Sequence, residues 1–254
     1  MPDQLVPLTL ELAAQLRPRF LPDRPGPLVG LHVLNTGVGA FLVDRWPDPR
    51  TVLVRAGFDY ALIGDPDAIT ATQLRAHVQR GAIDTAPDFD PVARAAFPEL
   101  VVWRRVIFQS PPGPFPDLPV VGALVRRLQP SDAGQIADLN RDLHWIANPW
   151  GGPAGLAASE HAWGAFAEGQ LVAVACSFHI GDHFEDLGVV TEAAYRGRGL
   201  STACAAALCH DIERRGRRPS WSTSLDNVAS QRVARKLGFR VDRYDRLLLP
   251  APWV

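Results

Sequence analysis

Residues 194–208 read Ala-Tyr-Arg-Gly-Arg-Gly-Leu-Ser-Thr-Ala-Cys-Ala-Ala-Ala-Leu (AYRGRGLSTACAAAL). Gly197 and Gly199 alternate with Arg196 and Arg198 just before an alanine-rich run. Leu200, Ala203, Cys204, Ala207, Leu208 and Ile212 recur at helical spacing, so a helix starts near Gly199 and stops before Gly216. The preceding Glu185–Thr191 (EDLGVVT) reads as a strand. A helix start leaves backbone N–H groups without intrahelical acceptors, and the helix dipole adds partial positive charge there. Glycine lets the backbone come close to a ligand. Strand, glycine–arginine loop and helix together point to an anionic guest such as a pyrophosphate.

Two phosphate-binding patterns fail. The P-loop needs Gly-x-x-x-x-Gly-Lys-Ser/Thr, which is absent. The dinucleotide pattern Gly-x-Gly-x-x-Gly meets Thr202 at its third glycine, and it belongs after the first strand of a βαβ unit. Here the loop follows a run of strands: 161–167, 171–179 and 185–191, with a turn at Gly181-Asp182. A strand at 125–128 and a helix over 133–143 capped by Ser131 precede them. A strand at 220–225, a helix over 227–237 stopped by Gly238, and a strand at 240–248 follow.

Upstream, Ser110–Val120 (SPPGPFPDLPV) carries five prolines, which forbid a helix or central strand. It reads as an extended connector between residues 1–118, a smaller mixed α/β domain, and residues 119–254. In the first half a helix is expected over 8–16, strands over 28–34, 38–43, 51–55 and 60–63, and a helix over 66–79. No internal repeat stands out. The fold class is α+β, with a central mixed, mostly antiparallel sheet flanked by helices in the C-terminal half.

A formal net charge of −1 gives no general attraction to nucleic acid or anionic membrane. No apolar run approaches spanning length and no signal-peptide pattern opens the chain, so a cytoplasmic protein is expected. Cys176, Cys204 and Cys209 form no disulfide framework and lack metal-ligand spacing. Reduced, buried thiols and no metal are expected.

Arg196-x-x-Gly199-x-Ser201, written out as Tyr195-Arg-Gly-Arg-Gly199, resembles the pyrophosphate loop of the GNAT superfamily of acyl-CoA-dependent N-acyltransferases. Asn227-Val-Ala-Ser-Gln-Arg-Val-Ala-Arg-Lys-Leu-Gly-Phe239 is similar to the family's later helix. The resemblance covers residues 125–254, and Leu187-Gly-Val-Val-Thr191 with Tyr195-Arg-Gly looks closest to the zwittermicin-resistance-type branch. In that branch the N-terminal half is a divergent extra domain, so residues 1–118 become a candidate GNAT-like half.

The resemblance implies acetyl-CoA as cosubstrate and a small-molecule amine as acceptor, and it leaves a homodimer open. It assigns the backbone of Val189, Val190 and Thr191, together with Asn227, to the pantetheine arm, and Ser230 to the cofactor. Arg196, Gly197, Arg198, Gly199, Leu200 and Ser201 go to the pyrophosphate. Arg198, Arg232, Arg235 or Lys236 then reach the 3′-phosphate, unless they are simply a solvated helix face. An amine near a lysine's pKa of roughly 10.4 is mostly protonated at neutral pH, so acylation calls for a general base. Asp186 occupies the matching position and Glu185 is its neighbour on the opposite face; desolvation among Phe184, Leu187 and Val189 would raise a carboxyl pKa there. The family's usual tyrosine acid is replaced by Ala234, which leaves Ser222, Ser224, Ser230 or solvent to protonate the thiolate. Trp145 and Trp150 either wall the acceptor site or pack their segment down. The expected activity is acetyl transfer from acetyl-CoA to a primary amine by direct attack. The alternative is a catalytically weak acyl-CoA-binding sensor or interaction module.

Overall fold

A computed structural model describes residues 4–111, 113–116, 118 and 120–250. The proline-rich segment therefore lies partly outside the described residues. The strands are β1 (Val6–Leu8), β2 (Ala40–Val43), β3 (Thr51–Ala56), β4 (Asp59–Gly64), β5 (Ala82–Thr85), β6 (Val101–Gln109), β7 (Leu124–Arg127), β8 (Ala162–Ala167), β9 (Gln170–Ile180), β10 (Phe184–Thr191), β11 (Arg218–Ser224) and β12 (Arg240–Leu249). The α-helices are α1 (Leu10–Ala13), α2 (Val29–Thr36), α3 (Ala71–His77), α4 (Asp90–Ala96), α5 (Ala133–Ala137), α6 (Pro153–Ala158), α7 (Leu200–Arg214) and α8 (Val228–Lys236).

The element order repeats. A strand, two helices, three strands, a helix, a strand, a helix and a strand run from β1 to β6 and again from β7 to β12. Pairing repeats too. β1 to β4 are successively antiparallel and β4–β5 is parallel. β7 to β10 are likewise antiparallel and β10–β11 is parallel. The sequence shows no such repeat because side chains, unlike backbone topology, have diverged throughout.

Two compact units result, Met1–Pro22 with Val29–Arg105 and Asp245–Val254, and Asp23–Leu28 with Val106–Tyr244. In the first unit alternation along β3 sends Val52 and Val54 into one core with Val33 and Phe41, and Leu53 into another with Leu62, Leu74 and Phe89. The strand after β5 is β12, with Leu248 opposite Ile83.

In the second unit the order is β6-β11-β10-β9-β8-β7. β9 is buried almost throughout because helices cover both faces, and its sequence is accordingly a near-continuous apolar run. On one face α7 packs its small residues Cys204, Ala205 and Ala206 into one core with Ala173, Ala175 and Leu187. On the other, Ile146, Leu156 and Trp150 cover Val174, Cys176 and Val190. Asp211 fixes α7: its buried carboxylate accepts from Arg127 Nη2, Trp163 Nε1 and Arg214 Nη1, each at 2.6 Å. An unpaired charge there would be costly.

Several expected elements differ. The strand expected over 28–34 is instead helix α2, Val29–Thr36: Gly37 N–H bonds Val33 O at 2.9 Å and a left-handed Gly37 ends the helix. A short apolar run fits either period until its flanks are read. The 8–16 helix is α1 continued as a 3-10 segment through Phe20. The 133–143 helix stops at Ala137, and its start is held by Gln129 and Asp132 rather than Ser131. Arg141–Trp150 is a 3-10 helix capped by Asn140. β5, α4 and β6 were not foreseen.

This 3-10 helix rides close on β10. A Cβ on Gly188 would sit 2.8 Å from Ile146 Cδ1 and 3.2 Å from Phe178 Cδ2. Gly188→Val should therefore destabilise the protein by about 1–3 kcal/mol through overpacking, read as a lower urea midpoint at unchanged m-value.

Candidate active site

β10 and β11 pair from Phe184↔Arg218 to Leu187↔Trp221, and the register ends there although the strands run on to Thr191 and Ser224. On its other side β10 stays paired with β9 through Thr191↔Ala173. The β9–β10 ladder shifts register between Asp186 and Leu187, one residue before the fork opens. Beyond it the β11-facing backbone of Gly188–Thr191 has no ladder partner among the described residues, so its N–H and C=O groups are available to an extended ligand. Val189 is half-buried against the α7 core and Val190 is buried on the opposite face. The Thr191 hydroxyl is buried without a hydrogen-bond partner among the described residues.

The glycine loop follows. Gly199 is the N-cap of α7 at φ 79° and Gly197 sits at φ 78°, left-handed conformations that favour glycine. No side chain caps the helix, and its first backbone bond is Ala203 N–H to Gly199 O at 3.0 Å. The N–H groups of Leu200, Ser201 and Thr202 thus face outward at the positive end of the dipole. Among the described residues nothing lies within 4 Å of a Cβ built on Gly197, and only Val120 Cγ1, at 3.9 Å, approaches one on Gly199. Leu200 anchors the loop in the core. Arg196 and Arg198 are exposed, braced on Thr191 O (3.3 Å) and Ala194 O (3.4 Å), and Arg198 lies over the Tyr195 ring at 4.8 Å.

Asn227 N-caps α8, its Oδ1 accepting from Ser230 N–H at 3.0 Å. Ser230 Oγ accepts from Trp221 Nε1 at 2.9 Å. Both side chains hold local structure, which leaves the Asn227 amide N–H groups and the Ser230 proton for donation.

The two carboxylates differ. Glu185 is fully buried on the α7 face, bound by Arg215 Nε (3.0 Å) and Nη2 (2.7 Å), Arg217 Nη1 (3.3 Å) and the Ser177 hydroxyl, with His161 Nδ1 at 3.6 Å. Burial alone would raise its pKa. The nearby His161 ring, hydrogen bonds from Arg215 and Ser177 and the charge of Arg215 outweigh burial and hold it down at about 2. This reverses the expected desolvation shift, and so weak a base locked among cations is a structural anchor. Asp186 is also nearly buried, but faces the other way, at the vertex of the fork. Its Oδ1 accepts from Ser220 Oγ at 2.9 Å and Ser222 Oγ at 3.0 Å. His179 is its cross-strand partner on β9.

The tryptophans also part company. Trp150 is buried, donates Nε1–H to Ser177 O at 2.9 Å and stacks on His161 at 5.4 Å, so it packs its segment down. Trp145 is partly exposed and meets Phe178 edge-on at 5.4 Å; Phe178 in turn contacts His179 at 4.8 Å. This aromatic ledge leads to Asp186. Ala234 is fully buried in the core. The cysteines are free and buried, which pushes the Cys204 thiol up to about 12 and those of Cys176 and Cys209 upward as well. Among the described residues no group of three or more His, Cys, Asp or Glu could hold a metal, and no helix is long and apolar enough to cross a membrane. Sequence reading missed the roles of Ser220, Ser177 and the Arg215–Arg217 pair. The alternating Ser220-Trp-Ser222 was the available signal, since it puts two hydroxyls on one strand face.

This fork, loop and helix define a GNAT fold, and comparison with known proteins agrees. Residues 150–245 match the family model described as GNAT acetyltransferase. A Streptomyces virginiae protein described as an uncharacterized N-acetyltransferase in the mutA 5′ region is 40% identical over 198 residues, 77% of this chain and 83% of that protein. A GCN5-related N-acetyltransferase-like protein from Streptococcus suis superposes with a TM-score of 0.72 at 19% identity, covering 94% of this chain and 98% of that one. A tandem GNAT protein from the clavulanic acid biosynthesis pathway gives 0.58 at 14% identity, covering 98% and 99%. At such identities the structures show the fold alone. The chain belongs to the GNAT acetyltransferase family.

The Glu185 cluster yields a pH test. Its lowered pKa adds stability that is fully present above the unfolded-state value near 4.5 and is lost as pH falls toward about 2. Glu185→Gln should cost about 3 kcal/mol at neutral pH. The gap from wild type should shrink steadily below pH ~4.5, as measured by urea unfolding at several pH values.

Proposed function

We propose that this chain moves an acetyl group from acetyl-CoA to the primary amine of a small molecule by direct attack in a ternary complex. The observation that carries this is the fork between β10 and β11 opening beside an uncapped, glycine-started helix. The fork suits the pantetheine arm, with Val189, Val190 and Thr191 giving backbone hydrogen bonds. The loop from Arg196 to Ser201 suits the pyrophosphate. Asn227 and Ser230 border the same cleft from α8.

Asp186 takes a proton from the incoming ammonium. The neutral nitrogen attacks the thioester carbonyl, the tetrahedral adduct collapses with loss of the C–S bond, and the amide nitrogen releases its second proton to solvent. The thiolate is protonated from solvent, since Ala234 offers no acid. Buried, high-pKa thiols argue against an acyl-cysteine intermediate. The ledge of Trp145 and Phe178 suits an acceptor with an apolar or aromatic body.

The first unit reads as a divergent GNAT-like half that binds no acyl-CoA. Its equivalent helix, α3, is sealed by a capping box, with Thr70 Oγ1 accepting from Gln73 N–H at 3.2 Å and Gln73 Oε1 from Thr70 N–H at 2.8 Å. Its parallel pair β4–β5 stays in register along the whole of β5.

Thermal melting with acetyl-CoA, CoA, NAD and ATP tests the binding half of the proposal. Ligand at about a hundred times its Kd should add about 2.7 kcal/mol. The gain should appear with the CoA pair only, and a folded Gly199→Glu variant should lose it. Calorimetric titration should give one CoA per chain. Thiol release in a primary-amine screen tests turnover, and Asp186→Asn should lower kcat about a hundredfold or more. Binding without turnover would instead favour a CoA-sensing module.

A further inference from the structure

Residues Asp23–Leu28 pack with the second unit although the chain on either side belongs to the first. This strap is anchored at two points. Asp23 lies over the β9–β10 turn, its carboxylate accepting from the backbone N–H groups of His183 (2.8 Å) and Phe184 (3.2 Å) and bonded to His183 Nδ1 at 2.6 Å. A Cβ on Gly181 would meet Asp23 Oδ2 at 2.3 Å, so that turn is shaped to admit the carboxylate. Three residues on, Gly26 N–H donates to Ser220 Oγ at 3.3 Å.

The second anchor has a chemical consequence. A serine hydroxyl has one proton. With its oxygen accepting from Gly26, Ser220 turns that proton to one of two acceptors. Asp186 Oδ1 lies at 2.9 Å and Glu185 O at 3.5 Å, so Asp186 receives it. Ser222 donates to the same Oδ1. Two hydroxyl donors on Oδ1 bond the carboxylate more strongly than the neutral acid and so favour the ionised form.

We propose that Gly26 and Ser220 are positioning residues: the strap polarises Ser220 so that Asp186 is held as an oriented, ionised base at the vertex of the fork. This rests on Asp186 being the base of the acylation reading. The charged and titratable groups around the cluster are His179 on β9, Arg243 on β12, whose Nη2 lies 2.9 Å from where a Gly26 Cβ would be, and Glu185 on the far face. None of them requires the strap to bond Ser220.

The test is a pH titration of the Asp186 carboxyl by 13C NMR in aspartate-labelled protein with CoA present, the signal assigned by its loss in Asp186→Asn. Ser220→Ala removes the donor. Gly26→Ala disturbs the strap from outside the sheet, because Gly26 sits at φ 117° and the new methyl crowds Arg243. The midpoint should rise by about one pH unit in Ser220→Ala and by about half a unit in Gly26→Ala, as loss of a hydrogen bond to a charged group implies. Circular dichroism identifies variants that fold, and either one suffices. An unchanged midpoint in a folded variant overturns the positioning role. Loss of the acylation reading shows separately, as failure of the wild type to gain stability from CoA.

Discussion

The carboxylate of Glu185 ties together the closed end of the fork. Its partners come from His161 before β8, Ser177 on β9, Arg215 at the end of α7 and Arg217 before β11. Five neighbouring segments are thus pinned at one buried point. A buried ion cluster of this kind is weak evidence for net stability, since desolvation offsets much of its attraction. What it does secure is geometry: removing any one member strands the others. With β10 and β11 locked together there, they are free to part three residues later without losing register. The reactive side of the structure depends on that fixed hinge point.

The two repeats show what the fork and the bare helix start cost. In the first, Thr70 and Gln73 satisfy the helix start, and Thr85 Oγ1 bonds Leu62 O at 2.6 Å where the parallel strands end. In the second, the same topological positions carry Gly199, without a side-chain cap, and ends of β10 and β11 that do not pair with each other among the described residues. A cap is worth roughly 1 kcal/mol. The same backbone plan with and without these closures separates what the fold needs from what a ligand would need.

The glycine–arginine loop, the α7 stripe and the Asn227 helix were legible because their signals are local. Capping, helical period and glycine placement all act within about ten residues. The strands of the second half were legible for the same reason. Glu185 and Asp186 could not be told apart, since adjacent strand residues differ only in face, and the face is set by distant helices. The strap was invisible: Asp23 and Gly26 meet partners at 183 and 220, and a proline-rich turn in the first half carries no mark of that reach. Trp145 and Trp150 share one short 3-10 helix, yet only packing shows which is buried.

The two faces of β10 then divide the labour. Side chains alternate across a strand, so Glu185 and Asp186 face opposite ways, and the pairing with β11 ends at Leu187, one residue past the register shift against β9. Toward α7 lie Glu185, Leu187 and Val189, all structural in their contacts. Toward the 3-10 helix lie Asp186, Gly188 and Val190, where the absence of a side chain on Gly188 lets Ile146 and Phe178 close in. Between these faces the strand edge itself is left to hydrogen-bond a ligand. One strand therefore holds the anchor on one side, the candidate base on the other and the candidate ligand ladder along its edge. That arrangement works only if the anchor face does not move, which returns the burden to Glu185 and its arginines.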